Sequence, residues 1–494
     1  MAEQREMKAK TPWHSGKVIC VAVFFIAALI TLVAIAFVQN KPIPQKYKYG
    51  IVLDAGSSHT AVYIYEWPAE KENNTGMVRQ RHTCAVKGKG ISSYAQKSSG
   101  AGQSLMECIE DAKGNIPADK HEETPVYLGA TAGMRLLRMQ DSESAEEVMT
   151  SVKATLMSSP FDYQGARIIS GQEEGAFGWI TVNYLGKNFR KAAGTMGALD
   201  LGGASTQITF VSGQSVESPD NSMDFRLYGN DYQLYTHSFL CYGKDQVLKL
   251  ALEKRLMPVE TSLEDPCFHP GYSEKKSVKN VFDTPCVHTI NKEDMDKSFT
   301  HNGTGNFTEC QSSIMKVFNF SQCTNSRCSF NGVYQPPIEG TFGAFSAFYF
   351  VMNFLNLTGH SLADSKRGLE VYCNTPWDAI KERHPTVKHK YLAEYCFSGT
   401  YILTLLENGY NFTFENWKHI SFIDKIEDSN AGWTLGYMLN LTNMIPAEAP
   451  DTPLMPHGGF VTLVLFLTIF LLILLLLWYK FLGLPSCSSP KEVV

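Results

Sequence analysis

Two short segments of this chain carry the same chemistry twice. Asp54-Ala-Gly-Ser-Ser-His-Thr60 and Asp200-Leu-Gly-Gly-Ala-Ser-Thr206 each set an aspartate two residues before a glycine, follow it with hydroxyl side chains and end on a threonine. A turn of that form presents successive backbone N–H groups and Ser or Thr hydroxyls to a single anion, because glycine lets the backbone come close. Phosphate is the natural guest. The carboxylate beside such a turn can hold a divalent cation, directly or through water, and magnesium in particular keeps several waters while bridging phosphate oxygens. One Asp-x-Gly turn is commonplace in hairpins that bind nothing, whereas two matching copies point to a phosphate site built from both. Between them lie Ala130-Thr-Ala-Gly-Met-Arg135, a small-residue loop with an ordinary reading as a helix start, and Gly171-Gln-Glu-Glu-Gly175. The latter puts Glu173 and Glu174 at the mouth of a helix-like run, where they either activate a water or merely complement the helix dipole.

Such turns need strands to hold them. Tyr49 to Trp67 reads as strand, tight turn, strand, with β-branched and aromatic residues on both sides of the break. Gly197 to Val211 repeats the pattern. Alignment on the aspartates matches Gly56 with Gly202 and Thr60 with Thr206, an internal duplication of a β-hairpin. Around the hairpins, strand-like runs (Val126 to Leu128, Ala166 to Ile169) alternate with helix-like ones (Ser104 to Asp111, Ala145 to Met157, Gly175 to Asn183), which argues α/β layers about a central sheet. From about Glu264 to Asn331 the texture turns rich in cysteine and sequons, and a stapled insertion decorating the second lobe is expected there rather than core. The aromatic run Phe342 to Phe354 reads first as buried core.

Two further segments, Val18 to Val38 and Phe460 to Tyr479, are uncharged and close to the roughly 20 apolar residues that a helix needs to cross a bilayer. The second ends in Trp478, Tyr479 and Lys480, anchors suited to a headgroup region. The first is too long for the core of a cleaved signal peptide, about 7 to 15 residues. Lysines flank it on both sides, so charge leaves its orientation open. Ten of the twelve cysteines lie between the spans: Cys84, Cys108, Cys241, Cys267, Cys286, Cys310, Cys323, Cys328, Cys373 and Cys396. So do seven N-x-S/T sequons, at Asn73, Asn302, Asn306, Asn319, Asn356, Asn411 and Asn440. With no C-x-x-C pair to suggest zinc, the even set reads as disulfides formed outside the cytosol, and the sequon density agrees. The expected topology is a two-span plasma-membrane protein, with cytosolic tails at 1–17 and 480–494, spans at 18–38 and 460–479 and the region between them extracellular. Cys20 and Cys487 then face the reducing side. A net charge of −5, spread without long runs of one sign, announces no surface for nucleic acid. The lipid bilayer is the expected partner, and association of the spans between chains would give a homo-oligomer.

Taken in order, DAGSSHT (Asp54 to Thr60), ATAGMRLL (Ala130 to Leu137), GQEEGAFGWITVNY (Gly171 to Tyr184), DLGGASTQITF (Asp200 to Phe210) and GWTLGYMLNLT (Gly432 to Thr442) resemble the five apyrase regions of the ecto-nucleoside triphosphate diphosphohydrolases. The resemblance covers essentially the whole chain, and the two-span, vascular, ATP- and ADP-hydrolysing type is nearest in pattern. It implies an α/β fold of two RNase H-like lobes, of the actin, Hsp70 and sugar-kinase superfamily, with nucleotide in the cleft between them. Lobe I would span 47–170, completed by about 436–450, and lobe II 171–435. The implied reaction is hydrolysis of nucleoside tri- and diphosphates (ATP, ADP, UTP, UDP) to the monophosphate, with Ca²⁺ or Mg²⁺ held largely through water by Asp54 and Asp200. Glu174 is then the general base, with Glu173 the weaker candidate. Ser57, Ser58, His59, Thr131 and Ser205, with the backbone of Gly202, Gly203 and Ala204, grip the phosphates, and Gln207 orients the water. Tyr349 and Tyr395 are the positions for an aromatic sandwich about the base. Arg135 reads either as a phosphate clamp or as a structural ion-pair residue and stays outside this set, and Trp433 reads as packing near the site. By position in the family, the disulfides would pair Cys84 with Cys108, Cys241 with Cys286, Cys267 with Cys310, Cys323 with Cys328 and Cys373 with Cys396.

One departure stands out. Between Tyr184 and Gly197 the linker is short, Leu185 followed by GKNFRKAAGTM, where members of the family usually carry a longer loop with aromatic residues. That puts substrate preference and membrane coupling in question, and the alternative is a receptor or adhesion protein that kept the fold with weak or no turnover. Intact Asp54, Glu174 and Asp200 argue against it. A kinase of the same superfamily would need an acceptor other than water, and no G-x-x-x-x-G-K-[ST] supports a P-loop ATPase.

Overall fold

The computed structural model describes residues 12–39, 47–69, 78–190, 194–442 and 455–481. Asn73, Cys487 and part of each expected cytosolic tail lie outside the described residues. The chain forms two units, one made of residues 1–46 with 448–494 and the other of residues 47–447.

In the first unit, helix α1 (Pro12–Gln39) and the helix His457–Phe481 are each long and apolar enough to cross a membrane. They run a few residues past the apolar spans expected from composition, since a helix continues until its backbone is interrupted rather than where polarity begins. The two pack on one another through Phe25 and Trp478, whose ring centroids lie 6.1 Å apart. Gln39 Nε2 closes one end by donating to the Met455 carbonyl at 2.9 Å.

The second unit is built on two sheets of related topology. Strands β1 (Tyr47–Ala55), β2 (Thr60–Pro68), β3 (Arg79–Ala85), β4 (Pro125–Ala130) and β5 (Asp162–Ile168) form a sheet of order β3-β2-β1-β4-β5. The first three are antiparallel, and β4 and β5 join parallel to β1. The crossovers are helices α2 (Ser99–Asn115) after β3, and α3 (Ala132–Gln140) with α4 (Ser142–Met157) between β4 and β5. After α5 (Gly171–Leu185) the scheme recurs with β6 (Gly197–Leu201), β7 (Ser205–Val211), β8 (Ser222–Leu227) and β9 (Asn230–Leu240), followed by α6 (Lys244–Leu256). Strands β10 (Ser262–Asp265), β11 (Ser273–Ser277) and β12 (Ser298–Gly303) make a small separate sheet. Finally β13 (Phe342–Ser346) and β14 (Ile420–Phe422) join β6 in parallel, giving the order β14-β13-β6-β7-β9-β8. The duplication is real at the level of register: Asp54 pairs with Ala61 and Ala55 with Thr60 in one hairpin, Asp200 with Gln207 and Leu201 with Thr206 in the other.

Each sheet has its own apolar core. Ile51, Leu53, Val62 and Leu128 pack under Leu105, Val148 and Val152 in the first, and Leu199, Ile208, Phe210 and Phe342 under Phe348 and Tyr401 in the second. A third core, with Val52, Trp67, Phe177, Trp179, Phe345 and Met438, is shared between the two sheets. At its centre α5 lies against the helix Trp433–Thr442, where the Gly436 amide donates to Thr181 Oγ1 at 2.8 Å. The aromatic run 342–354 divides into strand β13 and the helix Ala347–Phe354.

All ten cysteines between the spans are joined, in the five pairs that the resemblance implied. The cysteine-rich stretch, however, is not only decoration. Cys267, Phe268, Cys310, Ile314 and Phe330 are buried in the same core as Leu199 and Phe210, so part of it completes the second core. Its sheet is pinned by buried Asp265, which accepts from Arg255 at 2.5 and 2.6 Å and pairs with His301 Nε2 at 2.7 Å. Among the described sequons Asn319 and Asn356 are exposed, while Asn302, Asn306, Asn411 and Asn440 are half-buried.

The short linker after α5 is closed by one buried side chain. Asn183 Nδ2 donates to the carbonyls of Trp179 and Met196 at 2.9 and 2.8 Å, and its Oδ1 accepts from the Met196 amide at 2.7 Å. Asn183→Ala removes both partners of the Met196 backbone, and leaving such groups unpaired costs about 1–3 kcal/mol each. A lowered midpoint of thermal unfolding with unchanged kcat is the expected result, because none of the described residues of the linker reaches the cleft discussed next.

Candidate active site

A cleft of about 330 Å³ opens where the two duplicated hairpins meet. From the first sheet it is lined by Asp54 at the end of β1, by Gly56, Ser57, Ser58 and His59 of the turn, and by Thr131 at the start of α3. From the second come Asp200 at the end of β6, then Gly202, Gly203, Ala204 and Ser205. Glu174 enters from the first turn of α5. The tertiary structure therefore gathers in one place residues that are up to about 150 positions apart in the chain.

Local chemistry separates the two glutamates. Glu173 closes a capping box with Ser170, receiving the Ser170 amide at 2.9 Å while Ser170 Oγ receives the Glu173 amide at 3.1 Å. It is also held by Arg167 through two bonds of 2.8 and 2.9 Å. That carboxylate is committed to starting the helix. Glu174, one residue on, is buried and faces the cleft. Its Oε2 accepts from Arg135 at 2.8 Å and from Gln207 Nε2 at 3.2 Å, and no hydrogen bond engages Oε1 among the described residues. Burial raises the Glu174 carboxyl above its ordinary value, and the Arg135 guanidinium opposes that rise.

Arg135 is thus an ion-pair residue, and its partner is Glu174 in the cleft. The same guanidinium donates to Ser205 Oγ at 3.1 Å and to the Ile169 carbonyl at 3.1 Å. Gln207 sits one layer back, bonding Glu174, Ser205 Oγ and Ser238 Oγ rather than lining the cleft. With two donors already on its oxygen, Ser205 keeps only its own O–H to offer, directed by elimination at whatever occupies the cleft. Arg135→Met is expected to push the Glu174 carboxyl higher, moving the acidic limb of the kcat/KM profile to higher pH. It should also cost about 3–5 kcal/mol of stability by orphaning a buried charge. A pH–rate series and a thermal melt check the two parts separately.

Burial first, then the like charges of Glu174 and Asp200, push Asp54 up to about 8. Asp200 is pushed to about 7 by burial and by Glu174. Asp54 Oδ1 is buried without a hydrogen-bond partner. Buried Asp200 and half-buried Asp54, whose Oδ1 is orphaned, are short of positive charge and suit a divalent cation. Among the described residues no three His, Cys, Asp or Glu side chains cluster closely enough to cage one. The remaining ligands of an ion would then be water and phosphate oxygens, the arrangement magnesium favours.

Other wall residues, Trp433 apart, escaped the sequence reading. Tyr63, Lys244, Asp245, Ser346, Phe350, Asn430 and Trp433 all line the cleft. Trp433 packs at the site, buried in its wall. Ser346 carries φ +56° and ψ −132°, a strained conformation with no signal in a serine's identity. Lys244 Nζ is held by Asp245 at 2.6 Å and Glu394 at 3.3 Å. Of the aromatic positions, neither Tyr349 nor Tyr395 lines the cleft, whereas Phe350 does and is 58% exposed. Tyr349 contacts Phe350 from the side, and Tyr395 stacks on Phe354 at 3.9 Å, which covers one face of the Tyr395 ring. Helical geometry decides it, since adjacent positions on one helix point about 100° apart.

The model of the GDA1/CD39 (nucleoside phosphatase) family matches residues 40–454, more than four-fifths of the chain. The chain belongs to the GDA1/CD39 family. Ectonucleoside triphosphate diphosphohydrolase 1 of Mus musculus is 52% identical over 95% of this chain and 96% of its own length. The protein of the same name from Bos taurus is 48% identical over 98% and 99%. Ectonucleoside triphosphate diphosphohydrolase 2 of Gallus gallus is 46% identical over 82% and 85%. The crystal structure of a nucleoside triphosphate hydrolase from Neospora caninum covers 85% of this chain and 95% of its own with a TM-score of 0.57 at 13% identity, a likeness of fold. Membership of the GDA1/CD39 family implies divalent-cation dependence, in keeping with the donor set above.

Proposed function

We propose that this chain hydrolyses nucleoside tri- and diphosphates, ATP and ADP with UTP and UDP as further substrates, to the monophosphate and phosphate outside the cell. The observation that carries the reading is Glu174: a buried carboxylate with one oxygen tied to Arg135 and Gln207, facing a cleft walled by two phosphate turns in identical register. Its free oxygen takes a proton from a water as that water attacks the terminal phosphorus in line, and the bond to the bridging oxygen breaks. Amides of both turns, with the hydroxyls of Ser57, Thr131 and Ser205, stabilise charge that spreads over the phosphoryl oxygens. Ca²⁺ or Mg²⁺, held by Asp54 and Asp200 largely through water, would supply charge neutralisation to the phosphate chain. His59, whose Nδ1 lies 3.0 Å from Ser58 Oγ, sits at the exposed lip as a phosphate donor. Phe350 replaces Tyr349 as the aromatic face for the base, and a base read by its π-face suits a broad substrate range.

Five disulfides and the sequons between two apolar helices support an extracellular catalytic unit with both termini in the cytosol. A lobe boundary at 170/171 accords with sheets divided between β5 and β6, while residues 443–450 of the expected completion of lobe I lie outside the described residues. Association through the spans would give a homo-oligomer. The deciding experiment supplies ATP or ADP to intact cells carrying the chain, with Ca²⁺ or Mg²⁺ and with EDTA, and measures phosphate released. Metal-dependent release is the expected result. No release from correctly surfaced protein would return the receptor reading.

A further inference from the structure

We propose that Gly90 and Gly243 are positioning residues that hold the two phosphate turns from behind, each by a close approach that only a residue without a Cβ permits. The inference rests on the reading of the cleft as a phosphate site. Both glycines occupy the same place in the duplicated scheme, after the antiparallel strands and just before the first helical segment: Gly90 ahead of Ile91–Tyr94, Gly243 ahead of α6. Their backbones are alike, φ −56° and ψ 153° against φ −72° and ψ 160°. Any residue adopts those angles, so conformational freedom is not what glycine supplies here.

Space is. A Cβ on Gly90 would lie 2.5 Å from the Gly56 carbonyl oxygen, 2.8 Å from that of Ser57 and 2.9 Å from the Ser57 carbonyl carbon. One on Gly243 would lie 2.3 Å from the amide nitrogens of both Ala204 and Ser205. Ordinary contact begins at 3.4 Å, so a methyl group at either place must move the turn by about an ångström.

The approach also orients the turns. The Gly90 amide donates to the Ser58 carbonyl at 3.1 Å, and the first two amides of α6, those of Lys244 and Asp245, donate to the carbonyls of Gly202 and Gly203 at 2.8 and 2.9 Å. In a planar trans peptide the carbonyl and the next N–H point in opposite directions. Fixing those three carbonyls from behind therefore aims the N–H groups of His59, Gly203 and Ala204 away from the buttress. Donors set this way before substrate arrives need no reorganisation during reaction.

The test compares Gly90→Ala and Gly243→Ala with Gly303→Ala, whose methyl would meet the backbone of His269 and Phe268 in the insertion, away from the cleft. A misplacement of about 1 Å can cost about 100-fold in rate. The expected result is a fall of that order in kcat for ATP, per folded molecule, in each of the first two variants, whereas Gly303→Ala lowers only the melting temperature. Wild-type kcat in Gly90→Ala and Gly243→Ala overturns the proposal; absence of phosphate release from the wild type overturns the functional reading instead. Should the variants not fold, hydrogen exchange on ligand-free wild type decides. Amides of Gly90, Lys244 and Asp245 exchanging as slowly as those of strand β1 support the buttress, and exchange at loop rates refutes it.

Discussion

Glu174→Gln is expected to lower kcat for ATP by about 10²–10⁴-fold, the usual worth of a general base, with KM nearly unchanged. As the proposed base the carboxylate would act on the attacking water and not on the phosphates, so what it contributes would exist only in the transition state. Glutamine keeps the volume and can still accept from Arg135, which limits the structural damage that alanine would add. Glu173→Gln is the informative neighbour. It weakens the ion pair with Arg167 and the capping box at Ser170, at a cost of about 1 kcal/mol in stability, and leaves kcat near wild type. Steady-state kinetics on both variants, beside their thermal melts, separates the base from the cap. Equal losses in the two would remove Glu174 from its role.

Removing the divalent cation should expose a stability loss that grows with pH. Without it, Asp54 is pushed up to about 8 and Asp200 to about 7, both from an ordinary value of 3.8. Between those limits the folded chain binds more protons than the unfolded one, so stability falls as pH rises, by up to about 1.4 kcal/mol per pH unit for each group. The contribution is whole below pH 3.8 and gone above pH 8. A cation reverses the trend by replacing the protons, so its affinity should climb with pH through the same window. Melting temperatures in EDTA are therefore expected to drop between about pH 4 and about pH 8, the window from the ordinary carboxyl value of 3.8 to the raised ones, and to level off above it, and excess Ca²⁺ or Mg²⁺ should abolish the drop. Asp54→Asn removes its share of the slope and lowers turnover by about 10²–10³-fold, as loss of an electrostatic element at the transition state does. A flat EDTA profile would mean that the pair is not short of positive charge.

What the chain states locally, its sequence alone determined. Each Asp-x-Gly turn, each apolar span and each apyrase region lies within a short window, where hydrophobic period, turn chemistry and motif spacing act directly, whereas the cysteine pairing came from the family resemblance alone. Glu173 and Glu174 were both visible as candidates on the same ground, and the resemblance singled out Glu174. Tertiary packing decided the rest. Arg135 meets Glu174 across 39 positions and Ser205 across 70, contacts that exist only once α3 and α5 are set against the two sheets. The choice of Phe350 over Tyr349 turned on which side of one helix faced the cleft. Gly90 and Gly243 carry no local signal, because their backbone angles are ordinary and what each excludes is a methyl group in space occupied by a turn far away in the chain. A sequence shows what a residue can do, but steric exclusion and ion pairing depend on neighbours that only the folded chain brings within a few ångströms.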